Sequence, residues 1–186
     1  MENTSIGMTR PNFENIPTFE LPKSYTLRTY QPGDEKAWRE IHMQADPFNT
    51  FDEKSFVKGF GQDEQLWREN QFYICDESNQ PVGTATAWSV QKEQHPTPQG
   101  LVHWVALYPH AQGKGLSKPL MSAVCHRLRD RNFECAYLNT SSGRLPAVAL
   151  YLAFGFIPNI RKPEELAAWS DVKKQLGPRA IGLEDF

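Results

Sequence analysis

This 186-residue sequence has few cysteines, no long apolar run and no excess of one charge. The three cysteines, Cys75, Cys125 and Cys135, are odd in number and show no paired spacing, which argues against a disulfide framework. No Cys-x-x-Cys pair is present, and the five histidines lack the spacing of metal ligands. We therefore expect no structural metal.

The charge balance and the short apolar segments restrict the partners of the chain. The formal net charge is -2 and the isoelectric point about 6.2, so we do not expect nucleic acid or an anionic membrane as the main partner. No segment approaches the roughly 20 apolar residues of a membrane helix. The opening MENTSIGMTRPNFENIP has no apolar core of a signal peptide, and we expect a protein of the reducing cytoplasm.

The composition is that of a globular domain. Hydrophobic residues make up 39% and charged residues 23% of the chain, and its length suits one domain. Residues 1–23 are polar and contain three prolines, Pro11, Pro17 and Pro22, which predicts an irregular N-terminal arm. Residues 24–186 are predicted to form the domain itself.

Apolar periodicity and turn residues predict an alternating order of elements. Strands are predicted at 25–30, 71–77, 81–90, 100–108, 135–140 and 156–160, and helices at 35–45, within 47–70, from about 117 to 131, at 145–154 and in the C-terminal tail. Residues 91–99 are polar and contain two prolines, which predicts a loop. This order predicts a mixed α/β sheet with packed helices, in which 100–140 forms a right-handed strand–helix–strand crossover.

The most informative segment is the glycine-containing loop that precedes the helix at 117. Its residues are Gln112, Gly113, Lys114, Gly115, Leu116 and Ser117. The first turn of a helix leaves N–H groups unpaired and partially positive, and glycines let a pyrophosphate approach the main chain. The loop either binds phosphate in this way or merely joins a strand to a helix. It is neither a Walker loop nor a full Gly-x-Gly-x-x-Gly fingerprint.

The residues that flank the loop favour phosphate binding. The segment VHWVALYPHAQGKGLSKPLM resembles the cofactor-binding core of the GNAT acetyltransferase superfamily. The matching positions are the strand end Leu107-Tyr108-Pro109 and the loop residues Gln112, Gly115 and Ser117, the last in place of the usual glycine or alanine. A second segment, ALYLAFGFIP at 149–158, resembles the family's Leu-Tyr-x-x-x-Gly-Phe motif. Arg144 stands where the family usually has asparagine, and its guanidinium could contact a phosphate instead.

The resemblance implies a fold and a cofactor. The fold has a central, mostly antiparallel sheet with a splayed strand pair and helices on both faces. The cofactor is acetyl-CoA, whose pantetheine arm pairs with the backbone of Val105, Ala106 and Leu107. Its pyrophosphate lies on the amides of residues 112–117, and its thioester lies where the two strands splay. The amide of Val105 is the candidate that stabilises the oxyanion.

The resemblance also implies two catalytic side chains. Tyr151 matches the tyrosine that protonates the departing thiolate, a role that a phenol with a pKa near ~10 can fill. Its alternative role is that of a core tyrosine on an apolar helix face. His103 is the first candidate for the base that deprotonates the amine, because some family members place a histidine on this strand. Alternatively, His103 is a strand histidine bonded to its neighbours.

Residues 35–70 and 91–99 are predicted to determine which amine the protein accepts. The first range is rich in aromatics and contains Asp46, Asp52 and Glu53, which could attract a cationic amine. We favour core aromatics and surface acids, and expect a small-molecule primary amine as the acceptor. A catalytically silent acyl-CoA-binding module and a protein-lysine acetyltransferase are the alternatives, and the choice between monomer and homodimer stays open.

Overall fold

The structure is a computed structural model that describes residues 3–91 and 97–184. Its strands are β1 (Ser5–Arg10), β2 (Thr26–Thr29), β3 (Gln71–Cys75), β4 (Pro81–Val90), β5 (Gln99–Leu107), β6 (Ala136–Ser141) and β7 (Ile157–Asn159). Its α-helices are α1 (Asp34–Ala45), α2 (Ser55–Phe60), α3 (Glu64–Asn70), α4 (Ser117–Asp130), α5 (Leu145–Ala153) and α6 (Pro163–Leu176). Short 3-10 turns occupy Pro109–Ala111 and Gly177–Arg179.

The seven strands form one sheet in the order β2-β3-β4-β5-β6-β1-β7. The pairs β2–β3, β3–β4, β1–β6 and β1–β7 are antiparallel, and β5–β6 is parallel. The parallel ladder joins only Gly100 to Ala136 and Leu101 to Tyr137, so the main chain of β5 from Val102 onward takes no part in it. The predicted mixed, mostly antiparallel sheet and the β5–α4–β6 crossover are confirmed.

The N-terminal segment differs from the prediction. Residues 1–23 were expected to be irregular, but Ser5–Arg10 forms a strand that pairs on both sides, with β6 and with β7. Ile6 and Met8 are fully buried, and Gly7 packs closely against Tyr137, because a Cβ there would lie 2.9 Å from the Tyr137 hydroxyl. The strand thus depends on neighbours distant in sequence. The division at residue 23 into arm and domain stays a prediction.

The chain divides into two compact units. The first contains Met1–Ile16, Ser89–Leu101 and Asn132–Phe186, and the second contains Pro17–Trp88 and Val102–Arg131. The core of the first unit includes residues of β1, β6 and α6, among them Ile6, Met8, Leu138, Trp169 and Val172. The core of the second is an aromatic cluster made of Tyr30, Trp38, Phe56, Phe60, Trp67 and Tyr73 together with Cys75.

Two further properties concern the described residues only. Within 3–91 and 97–184, no helix is both long enough and apolar enough to cross a membrane. The same residues contain no group of three or more histidine, cysteine or acidic side chains placed to hold a metal ion.

Candidate active site

The glycine loop of the second unit has the backbone that the sequence predicts for a phosphate site. Gly113 and Gly115 have φ angles of 73° and 78°, in the left-handed region that favours glycine. A Cβ at either position would meet no atom within 4 Å, so conformation rather than crowding requires glycine here. The side chain of Gln112 donates to the Leu107 carbonyl at 3.1 Å and ties the loop to the end of β5.

The amides of this loop are available to a ligand. In the described part of the chain, the backbone N–H groups from Gly113 to Ser117 donate to no other protein group. Leu116 precedes α4 without a side-chain cap, and Lys114 is exposed. The N-terminus of α4, a helix of 14 residues, presents unpaired N–H donors and the positive end of the helix dipole. The loop can therefore receive an anion without breaking an existing bond.

A kink in β5 lies beside the residues predicted to pair with the pantetheine arm. Trp104 has a φ of 50° inside a strand, although bulky non-glycine residues avoid this region. Outliers of this kind cluster at functional sites, where the surrounding structure holds them. The Trp104 ring packs against Gly59, whose Cβ would lie 3.0 Å from the indole nitrogen. The unusual backbone of Trp104 could not be predicted from the sequence, because a tryptophan in an apolar run predicts ordinary extended backbone.

His103 is half-buried among aromatic rings. Its ring centroid lies 5.5 Å from that of Phe60 and 5.3 Å from that of Trp104. Burial lowers the pKa of His103 to about 4, although a hydrogen bond with the Gly59 backbone partly opposes this shift. His103 is therefore neutral near pH 7 and is a weaker base than an exposed histidine. Its catalytic role stays a prediction.

Tyr151 lies in α5 of the first unit and is 7% exposed. Burial raises the pKa of its hydroxyl to about 12, and the positive charge of Arg144 acts in the opposite direction. The phenol is therefore protonated across the physiological range and is able to donate a proton. The Tyr151 ring also packs against Phe156, with centroids 6.1 Å apart, so it contributes to the core as well.

Arg144 lies at the start of the same helix. It is the residue before the first turn of α5, and its Nη1 donates to the Ser141 hydroxyl at 3.2 Å. The structure thus gives Arg144 a local bond and an electrostatic influence on Tyr151. The predicted contact of Arg144 with a cofactor phosphate stays a prediction.

The aromatic residues of 35–70 are mainly core, as favoured in the sequence analysis. The Trp38 ring lies 5.5 Å from those of Phe56 and Trp104, and Phe51, Trp88 and Trp104 are the partly buried rings at the edge of this cluster. The acidic residues of this range already have partners. Asp46 accepts hydrogen bonds from Phe48 and Asn49. Asp52 accepts one from Ser55, and Glu53 forms an ion pair with Arg39. Of the predicted loop 91–99, residues 92–96 lie outside the described residues.

Comparison with known proteins identifies the family. The sequence profile of the Acetyltransferase (GNAT) family matches residues 35–156, more than half of the chain. This chain belongs to the GNAT acetyltransferase family. The matched range contains the glycine loop, the β5 kink and Tyr151, so the features described above lie in the part of the chain that defines the family.

Relatives of this GNAT chain are longer proteins. A mycothiol acetyltransferase from Thermomonospora curvata is 28% identical over 155 residues, which are 81% of this chain and 50% of the relative. One from Thermobispora bispora is 31% identical over 159 residues, 80% of this chain and 52% of the relative. The chain spans about half the length of these curated relatives.

A solved structure supports the GNAT fold. The GCN5-related N-acetyltransferase from Sphaerobacter thermophilus aligns with a TM-score of 0.68 at 21% identity, over 84% of this chain and 49% of that chain. At this level of identity, the likeness is evidence for the fold only.

Two histidines, the buried His42 and the half-buried His103, are expected to make this GNAT chain sensitive to acid. Burial lowers the pKa of both His42 and His103 to about 4 from 6.5. An unfolded chain binds protons on these residues as the pH falls through about 6.5, whereas the folded chain does so only near 4. Their contribution to the free energy of unfolding is therefore complete above about 6.5 and lost as the pH falls toward 4.

Urea unfolding at about pH 7 and about pH 5 measures this loss, since the free energy of unfolding should be lower at the acidic pH. Replacing both histidines with glutamine should make the two values more alike. An equal difference between the two pH values in the double variant would assign the effect to other groups.

Proposed function

We propose that this chain transfers the acetyl group of acetyl-CoA to the primary amine of a small molecule. The observation that carries this proposal is the turn from Gly113 to Ser117, whose amides are unpaired within the described residues, at the uncapped start of α4. Backbone amides at a helix N-terminus are matched to a diphosphate in both charge and geometry. Lys114 adds a cation beside them.

The cofactor would be held by main chain rather than by a charged pocket. Its diphosphate would lie on the amides of the turn, and its pantetheine arm would pair with Val105, Ala106 and Leu107. These β5 residues are free of the β6 ladder, which includes only Gly100 and Leu101 of β5. An extended arm can pair with such backbone in the manner of an added strand.

The chemistry is an attack of the uncharged amine on the thioester carbonyl. A C–N bond forms, the C–S bond breaks, and the amine loses a proton. The Val105 amide would donate to the oxyanion that develops during the attack. Tyr151, kept protonated by burial, would give its proton to the departing thiolate. This role of Tyr151 rests on the family motif, and its protonated hydroxyl is suited to the role.

Proton removal from the amine is assigned to His103, acting directly or through water. An alkylammonium has a pKa near ~10.4, far above that of this imidazole, so full proton transfer to His103 before attack is unfavourable. His103 would instead accept a proton late, as the bond to the thioester carbon forms and the amine becomes strongly acidic. The acceptor would thus reach the site as the neutral amine.

The small-molecule acceptor is supported by two observations. The two curated relatives reported above are named mycothiol acetyltransferases rather than protein acetyltransferases. In addition, Asp46, Asp52 and Glu53 are engaged in local surface bonds, which argues against a prepared acidic groove for a lysine peptide. Asp46 and Asp52 accept hydrogen bonds from residues two or three positions further along the chain, and Glu53 forms an ion pair with Arg39.

Thiol release from acetyl-CoA with an acceptor panel tests the proposal. The panel contains glucosamine, putrescine, alaninamide and tyramine, with an acetylatable lysine peptide as the comparison. We expect at least about tenfold higher kcat/KM for one of the small amines than for the peptide, a difference of about 1.4 kcal/mol in transition-state binding. Preference for the peptide would indicate a protein-lysine acetyltransferase. Cofactor binding without thiol release would indicate a silent acyl-CoA-binding module.

A further inference from the structure

The buried arginine at the end of β1 contacts the helix that carries Tyr151. Arg10 is 4% exposed, and it is the last residue of the strand. Its Nη1 donates to the carbonyl of Phe154, and its Nη2 donates to the carbonyl of Glu14 at 2.6 Å. Both contacts lie within the first unit. A single guanidinium therefore joins the N-terminal segment to the residue that ends α5.

The end of α5 is shaped to receive this guanidinium. Gly155 has a φ of 73°, and a Cβ there would lie 2.6 Å from Nη1 of Arg10. The left-handed backbone is the reason that this position favours glycine, and the lack of a side chain there lets the guanidinium approach closely. Gly155, directly before Phe156, thus lies against a residue of β1.

Tyr151 is part of the backbone motif that closes this helix. The amide of Phe156 donates to the Tyr151 carbonyl at 3.1 Å, and the amide of Gly155 donates to the Leu152 carbonyl at 2.9 Å. These two bonds form a Schellman motif, which satisfies carbonyls of the last turn. The Phe154 carbonyl is not used by the motif, and Arg10 supplies its donor. The cation also lies at the negative end of the helix dipole.

The helix has little to hold it by itself. It contains nine residues, and no side chain caps its N-terminus. Helices of this length are not stable in isolation and take their position from tertiary contacts. The bond from Arg10 to the Phe154 carbonyl is one such contact, and it lies three residues after Tyr151.

From this geometry we propose that Arg10 is a positioning residue, which holds the last turn of α5 so that Tyr151 presents its hydroxyl to the leaving group. The inference rests on the proposed catalytic role of Tyr151. Arg10 lies in β1, outside residues 35–156, where the family profile matches. The contact between Arg10 and α5 is therefore not part of the matched family region. A displacement of a reacting group by about 1 Å can cost on the order of 100-fold in rate.

A double-mutant cycle with Arg10→Met and Tyr151→Phe tests the proposal. Methionine keeps the length of the arginine stem but donates no hydrogen bond. We expect Arg10→Met to lower kcat about tenfold with the KM for acetyl-CoA changed by less than about twofold. In the Tyr151→Phe background the same substitution should change kcat by less than about twofold, because the group that it positions is gone. Arg10→Lys should recover part of kcat.

Thr9→Val is the matched control on the same strand. It removes the hydroxyl that accepts a hydrogen bond from the side chain of Asn159, a residue of β7, and should leave kcat unchanged. Equal losses of kcat from Arg10→Met in both backgrounds would overturn the proposal, since they would show a general structural effect.

Amide hydrogen exchange of Phe154, Gly155 and Phe156 separates this inference from the proposed function. Arg10→Met should speed exchange at these amides and leave α6 unchanged. If the wild-type chain bound acetyl-CoA but transferred no acetyl group, the proposed function would fail, while faster exchange would still support the contact between Arg10 and α5. Unchanged exchange would overturn the positioning role whatever the activity.

Discussion

Replacing Tyr151 with phenylalanine is expected to lower kcat at least about 100-fold, because the departing thiolate loses its proton donor. The dissociation constant of acetyl-CoA should change by less than about threefold, since phenylalanine keeps the ring that packs against Phe156. Burial raises the pKa of Tyr151 to about 12, so the hydroxyl stays protonated at every pH used for assay. The loss of kcat should therefore be the same at about pH 7 and about pH 9.

Tyr137→Phe is the matched control for this substitution. Tyr137 is also buried in the first unit, and its hydroxyl donates to Asn139 and accepts from Arg161. Its replacement should lower the unfolding temperature and leave kcat almost unchanged. Steady-state kinetics of the two variants measure the difference. Equal turnover by Tyr151→Phe and the wild-type chain would remove Tyr151 from the mechanism.

Replacing Gly115 with alanine is expected to weaken acetyl-CoA binding about tenfold, because a left-handed backbone costs a non-glycine residue roughly 1–2 kcal/mol. The φ of Gly115 is 78°, and a Cβ there would meet no atom within 4 Å, so the cost of alanine comes from backbone conformation rather than from crowding. The turn should relax and turn its amides away from the diphosphate. Isothermal titration with acetyl-CoA measures the change.

Gly33→Ala is the control for backbone strain. Gly33 precedes α1 in the same unit, has a φ of 98° and also has open surroundings. Both substitutions should lower the unfolding temperature slightly, but only Gly115→Ala should weaken the binding of acetyl-CoA. Equal effects on binding would show that the glycine loop has no special part in it.

The segment from β5 to β7 was predictable from the sequence, because its signals are local. The glycines of the loop, Pro109 after the strand and Gly155 after α5 each mark a boundary through their own backbone preferences. The aromatic residues before β3 were correctly assigned to the core. The order of the elements then followed from the alternation of apolar patterns, and the parallel pairing of β5 with β6 required a crossover.

Three features could not be predicted, because they arise from contacts distant in sequence. The strand β1 pairs with β6 and β7, and its six residues contain only Ile6 and Met8 as buried apolar side chains beside Gly7. The kink at Trp104 contradicts the extended backbone that its neighbours favour. Arg10 looks like a surface arginine until β1 places it against the end of α5, which lies 144 residues further along the chain.

A thermal-shift titration with acetyl-CoA, CoA and NAD tests the central claim most directly. A ligand at 100 times its dissociation constant adds about 2.7 kcal/mol of stability, which corresponds to a rise of roughly 5–10 °C for a chain of this size. The account predicts such a rise with acetyl-CoA and with CoA, little change with NAD, and a smaller rise with acetyl-CoA for Gly115→Ala. The same unfolding temperature with and without both CoA species would contradict the account.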